Sequence, residues 1–275
     1  MHSHDGSGAR ALDVQILRYL TGAAARYRDV ERVGPFTATF DRDDPNTYLN
    51  YAIPDADARP SLEDVAALAD AYRRRGRVPR LEYPPAAAPA VEATLVAGGF
   101  AVEAHLPVMT CTPATVVDLA AEADGFVVAV PESDADWRGM RRAQHAAFGS
   151  GGGDEDGSDE SGGDDAAELA HQRERLVAGG LALLARDTAT GAIVGGGVAT
   201  VPDEGITEIA GIGVLEDYRR RGIAGAITSG LAGAAFAAGL TTVWLTPGDD
   251  GAHRVYARAG FADTTSVVHL AAPAG

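Results

Sequence analysis

The chain has 275 residues, 46% of them hydrophobic, and a formal net charge of -16. That length allows one large domain or two ordinary ones, each with its own core, and the acidity disfavours nucleic acid, whose phosphates would be repelled. There is no lysine, so arginine supplies the side-chain positive charge, and the single cysteine, Cys111, excludes an intramolecular disulfide and suits a reducing, cytoplasmic setting.

The opening MHSHDGSGAR has neither a basic n-region nor an apolar h-region. It reads as a disordered polar tail over residues 1–10 and not as a signal peptide, and two histidines in such a tail make no metal site. Leu12, Ile16, Leu17, Leu20 and Ala24 have the spacing of a helix that runs to Tyr27. VGPFTATF and TYLNYAIP read as strands. Ser61, with Asp64 three residues on, predicts a capped helix reaching about Arg75 and stopped by Gly76. VPRLEYP is a strand, Pro89 to Ala97 a helix ended by Gly98 and Gly99, and FAVEAHLPVMT a further strand. The first half therefore reads β-β-α-β-α-β after a leading helix.

The second half begins near Gly125 with the strand FVVAV and a helix from Asp136 to Phe148. Residues 149–165 are Gly, Ser, Asp and Glu only, with nothing apolar to bury, and predict an acidic disordered loop. Its carboxylates lack the spacing of a calcium loop. Ala166 to Ala178 is helical; LALLARD, AIVGGGVATV and ITEIAGIGV are strands. The glycines at 195–197 sit mid-strand, where a bulge or close sheet packing explains them. Gly222 to Ala238 is an Ala- and Gly-rich helix closed by Gly239, and Thr228 and Ser229 argue against its being a membrane span. TTVWLTP is a strand, Ala252 to Ala259 a short helix and FADTTSVVHL the last strand. LEYP, helix, AGGF in one half and WLTP, helix, ARAGF in the other make a weak internal repeat.

One stretch, GIGVLEDYRRRGIAGAI (residues 211–227), breaks a local rule. Three arginines stand at the start of a helix, where the dipole is already positive, and a broken rule without structural gain marks a candidate site. A strand ending at Val214, a turn, and a helix opening Gly222-Ile223-Ala224-Gly225 make a phosphate-binding design. Small side chains let an anion approach the free first-turn amides, and Arg219, Arg220 and Arg221 add charge. The pattern has no Gly-Lys-Ser/Thr and no three spaced glycines, so neither a P-loop nor a dinucleotide fold is expected.

Val214, Tyr218, Arg219, Gly222 and Ala224 resemble the acetyl-CoA signature of the GCN5-related N-acetyltransferase (GNAT) family, and Ala252, Val255, Tyr256, Gly260 and Phe261 are similar to its second motif. The resemblance spans roughly residues 125–270. It implies an α/β fold of the α+β kind, with a mixed sheet flanked by helices in each of two GNAT-like domains. Residues 11–120 would be a degenerate copy without the signature, and residues 125–275 the catalytic domain. It implies acetyl-CoA as co-substrate, no metal, and direct acetyl transfer in a ternary complex to a primary amine on a small molecule or a peptide N-terminus.

The same resemblance implies cofactor contacts at Ile212, Gly213, Val214, Arg219, Arg220, Arg221, Gly222, Ile223, Ala224 and Gly225. A further one falls at Asp249, where the family often has Asn. A backbone N–H near Val214 would polarise the thioester carbonyl, and Tyr256 would be the general acid, although simple packing also explains a tyrosine there. Glu208, Ala210, Ile212 and Val214 lie an even number of residues apart and so share one strand face. A carboxylate among small apolar neighbours suits a base or a substrate contact; a solvated strand residue is the plainer account. His253 is a rival proton carrier one turn before Tyr256, and His145 a candidate for the acceptor pocket; an ordinary surface histidine is the plainer account of each. A non-catalytic acyl-CoA-binding or regulatory module is the alternative to an enzyme, and a longer acyl donor a third reading. Neither nucleic acid nor membrane is expected as a partner, and the chain is read as a monomer or homodimer.

Overall fold

The computed structural model describes residues 5–42, 44–149, 174–175 and 178–273. In chain order the elements begin with α1 (Asp5–Arg26), β1 (Asp29–Val33), β2 (Phe36–Phe40), β3 (Ala52–Pro54), α2 (Leu62–Arg74), β4 (Arg80–Tyr83), α3 (Val91–Ala97) and β5 (Ala101–Cys111). They continue with β6 (Phe126–Ala129), α4 (Asp134–Gly149), β7 (Leu181–Asp187), β8 (Ile193–Ala199), β9 (Ile206–Val214), α5 (Ile223–Ala237), β10 (Thr242–Leu245), α6 (Asp250–Arg258) and β11 (Ala262–Ala271).

By contact the chain forms two compact units, Met1–Val108 with Asp263–Gly275, and Met109–Ala262. This division falls elsewhere than the boundary at 120–125 read from the sequence. Strand β11 ends the chain in the first unit, because it pairs antiparallel with β4, Val268 opposite Tyr83 and Ala271 opposite Arg80. Residues 109–111 of β5 count with the second unit and pair with β10, Cys111 opposite Val243.

In the first unit β1, β2 and β3 form an antiparallel run, and β3 then pairs parallel with β4 at Ala52 and Leu81. Helix α2 connects the two parallel strands. Its start is the capping box expected: Ser61 Oγ accepts from Asp64 N, and Asp64 returns the bond to the Ser61 backbone. Two readings change. Residues 5–10, expected as tail, are the first turns of α1. DVERV, to which the sequence reading assigns no element, is the edge strand β1, and Gly34 (φ 54) turns it into β2.

In the second unit β6, β7, β8 and β9 run antiparallel in sequence order, and β9 pairs parallel with β10. One sheet face packs Ile209, Val214 and Val243 against Ile223, Ile227, Leu231 and Ala235 of α5 and Tyr256 of α6. The other packs Ala182, Leu184 and Val198 against Trp137 and Met140 of α4. The three glycines of β8 serve close packing, as expected: a Cβ on Gly196 would strike Met140, and one on Gly197 would strike Ile212. Helix α5 is apolar because it is buried along most of its length. Inside it Thr228 donates to Ala224 O (2.8 Å), and Ser229 accepts from Leu119 N (3.1 Å), so both hydroxyls are satisfied. Among the described residues no helix is long and apolar enough to cross a membrane. The acidic tract and most of the helix expected over Ala166 to Ala178 lie outside the described residues.

Candidate active site

Strands β9 and β10 pair at Ile206 with Thr242, Thr207 with Val243 and Glu208 with Trp244, and there the pairing stops. Strand β9 continues to Val214 with only β8 beside it. A gap therefore opens between the two strands, edged by unpaired β9 backbone, and an extended chain with amide groups can add to such an edge.

A bulge sets which backbone groups face the gap. The β8–β9 register has Ala199 opposite Ile209 and Val198 opposite Ala210, but Gly196 opposite Gly213 and Gly195 opposite Val214. One extra residue has entered β9 beside Gly211, whose φ is 64°. Leu215 N donates to Val194 O across the ladder (2.9 Å). By the alternation of an antiparallel ladder, Val214 then directs its own N–H and C=O away from β8, as does Ile212. Accordingly Val214 O accepts from Arg219 Nε at 3.2 Å.

The bulge corrects the shared face proposed for Glu208, Ala210, Ile212 and Val214. Ala210 pairs with Val198 on the α4 side, and Glu208, two residues earlier, shares that side. Ile212 and Val214 pack on the α5 side. An even spacing keeps to one face only while the ladder is regular.

The turn after β9 is a single 3-10 turn, Glu216–Tyr218, followed by Arg219 in an extended conformation, Arg220 at φ 62° and Gly222 at φ 75° as the N-cap of α5. The three arginines do different things. Arg219 turns back, bonding Val214 O and, through Nη2, Ala147 O (3.3 Å), so its charge sits at the C-terminal end of α4. Arg221 lies over the Phe126 ring, 4.4 Å from its centroid, with the Tyr218 ring at 5.8 Å. Arg220 is exposed and meets no acidic side chain among the described residues.

Two glycines of the motif have a reason other than anion approach. A Cβ on Gly222 would run into the Glu122 carbonyl, and one on Gly225 would lie 2.9 Å from Leu119 Cδ1. The segment 119–122 rests on the start of α5, and that packing requires both to be small. Ile223 is buried in the core and Ala224 is half-buried, its carbonyl bonded by Thr228. Gly222 has no side chain to accept from the helix start, so the first amides of α5 have no capping side-chain acceptor.

Tyr256 sits on α6, which follows β10. It is 8% exposed, packs against Phe261 and belongs to the core on the α5 side. Burial, reinforced by the Asp249 charge, pushes its phenol up to about 12, so it keeps its proton at neutral pH. Asp249 is the N-cap of α6, with Oδ1 accepting from Ala252 N at 2.7 Å. A helix cap accounts for an acidic residue there, since Asp and Asn cap equally well. Glu208 is half-buried, and its carbonyl accepts from Thr200 N (2.9 Å). His253 is half-buried on α6 and His145 is exposed on α4. Among the described residues no group of three or more His, Cys, Asp or Glu is placed to hold a metal.

Gln144, on α4, escaped the sequence reading. Its Nε2 donates to Gly211 O at 2.6 Å and so grips the bulge. No spacing rule links a helix amide to a strand carbonyl 67 residues later.

The helix start in the first unit is built differently. The start of α2 carries its own carboxylate: Asp64 Oδ2 accepts from Ser61 N (2.8 Å) and Ser61 Oγ (2.7 Å). Those bonds hold Asp64 below the usual carboxylate range. After β3, Asp57 N donates to Ala87 O (2.9 Å), lacing the segment beyond β3 to the turn beyond β4.

Residues 137–261 match the family model of the acetyltransferase (GNAT) family. Among solved structures, a GCN5-related N-acetyltransferase from Kribbella flavida is similar, with a TM-score of 0.77, 24% identity, and 96% of each chain covered. One from Sphaerobacter thermophilus gives a TM-score of 0.63 at 19% identity over 86% of this chain and 76% of that one. A tandem GNAT protein from the clavulanic acid biosynthesis pathway gives 0.61 at 14% identity, covering 100% of this chain and 97% of its own. No curated protein sequence matches. The fold is the mixed α+β fold of these GNAT structures, and the stretch that matches the family model lies within the second unit.

Proposed function

We propose that the second unit is an acetyl-CoA-dependent N-acetyltransferase whose acceptor is a primary amine on a small molecule or a peptide N-terminus. The observation that carries this is the gap between β9 and β10, edged by the Ile212 and Val214 amides and ending at the arginine turn. The fit to acetyl-CoA is specific in kind. The open edge of β9 suits the two amides of a pantetheine arm, and Arg220 with the uncapped start of α5 suits a pyrophosphate. Acetyl-CoA would supply a thioester, an acyl group already activated toward an amine.

The chain's own residues then divide the work. The outward N–H of Val214 donates to the carbonyl oxygen as negative charge develops there. The amine nitrogen bonds to the acyl carbon and the C–S bond breaks. Tyr256, protonated at neutral pH, gives its proton to the departing sulfur, and Glu208 or water takes the proton that the amine loses. On this reading Arg219, Arg221 and Asp249 shape the site from behind and Arg220 is the arginine left for phosphate.

The first unit is read as a degenerate, silent copy. It keeps the parallel strand–helix–strand arrangement, but Asp64 occupies the helix start with a negative charge and the Asp57–Ala87 bond closes the strand opening. The test is acetyl-CoA with a panel of primary amines, following the released thiol. Turnover by wild type, with Tyr256→Phe binding acetyl-CoA normally but turning over at least tenfold more slowly, supports the enzyme. Binding without turnover on any amine favours a non-catalytic acyl-CoA-binding module.

A further inference from the structure

This inference rests on the acyl-transfer reading and assigns a residue to it. We propose that Gln144 is a positioning residue for the acyl carbonyl, acting through the bulge in β9. The bulge decides which amides of β9 face the gap. With the extra residue present, Ile212 and Val214 direct their N–H groups outward; in a regular ladder those of Gly211 and Gly213 would point that way instead. Gly211, at φ 64° and without a side chain, is the residue at which such a register slips most easily.

Helix α4 holds the bulged register from outside. Gln144 Nε2 binds the Gly211 carbonyl at 2.6 Å. A Cβ on Gly213 would lie 3.0 Å from Gln144 Cα and 3.1 Å from Ala147 Cβ, so the helix is seated directly on the bulge. Arg219 ties the strand end to the same helix through Val214 O and Ala147 O. Gln144 supplies the one side-chain donor given to the Gly211 carbonyl among the described residues. Without it the carbonyl loses that donor at the glycine whose φ of 64° marks the bulge. The expected consequence is a Val214 amide that no longer points consistently at the carbonyl, while the arginine turn stays intact.

The experiment is isotope-edited infrared spectroscopy of acetyl-CoA labelled with carbon-13 at the acetyl carbonyl, together with its Kd. It is run on wild type, Gln144→Leu and the nearly isosteric Gln144→Glu. Wild type is expected to shift the carbonyl band down from its position in water. Gln144→Leu is expected to lose most of that shift while Kd stays within about threefold, a change of no more than about 0.65 kcal/mol. Gln144→Glu is expected to lose the shift at pH 8 and to regain part of it toward pH 5, where a protonated carboxyl donates in place of the amide. If Gln144→Leu does not fold, the Gln144→Glu pH series decides alone. A full shift in either variant at pH 8, with acetyl-CoA bound, overturns the positioning role and leaves the enzyme reading standing. Failure of wild type to bind acetyl-CoA overturns both.

Discussion

Arg219 reaches back to Val214, its Nε 3.2 Å from the carbonyl at the end of β9, while the adjacent Arg220 adopts a left-handed backbone at φ 62°. The two therefore play opposite parts: one completes the fold and the other is held in a conformation that costs the fold energy. Strain of this kind at the rim of a cleft is characteristic of a functional position.

Arg220→Gly should separate the two effects. Glycine adopts φ 62° freely, so the apo protein should gain about 1 kcal/mol of stability. Acetyl-CoA affinity should fall roughly tenfold, the worth of one charge-assisted hydrogen bond. Arg221→Ala should do the reverse: a loss of about 0.5–1 kcal/mol from the contact with Phe126 and little change in affinity. Chemical denaturation with and without acetyl-CoA reads both.

Gly222→Ala should be poorly tolerated whether or not ligand is present. Its φ is 75° and its Cβ would meet the Glu122 carbonyl, so a loss of roughly 2–5 kcal/mol is expected. Gly225→Ala should cost less, because its obstacle is the movable end of Leu119. Equal stability of Gly222→Ala and wild type, with only binding lost, would mean that the glycine serves the anion after all.

Tyr256→Phe should lower kcat by about a hundredfold, within the range of a general acid, and leave acetyl-CoA affinity unchanged. It should also alter alkaline stability. The phenol titrates near 12 in the folded protein against 10 in the open chain. The folded state holds that proton more tightly, so its contribution is complete below pH 10 and is lost as pH rises through 12. The Phe variant should show a shallower alkaline decline in urea titrations from pH 8 to 11, the remainder coming from Tyr72 and Tyr83, whose phenols burial also pushes up.

Ser61→Ala should cost the first unit about 1 kcal/mol through loss of its helix cap, with acetyl-CoA affinity unaltered. A change in affinity measured by calorimetry would give that helix start a part in ligand binding and contradict a silent first unit.

The readable parts of this sequence were those governed by short-range rules. The Ser61–Asp64 capping box and the alternation of strands and helices both follow from local chemistry. The bulge did not. Gly211 in ITEIAGIGV has the pattern of an ordinary strand residue, so even spacing alone puts Ile212 and Val214 on one side with Glu208 and Ala210, which the bulge undoes. Nor did the sequence separate the three arginines, since their partners, Ala147, Val214 and Phe126, come from distant segments. The pairing of β11 with β4 is likewise a long-range choice between edges that local propensity cannot make.

Isothermal titration of the full chain with acetyl-CoA tests the central claim most directly. One site per chain, weakened by Arg220→Ala and unaffected by Ser61→Ala, is the predicted result. No binding, or an affinity indifferent to Arg220→Ala, would contradict the assignment of the arginine turn as the acetyl-CoA site.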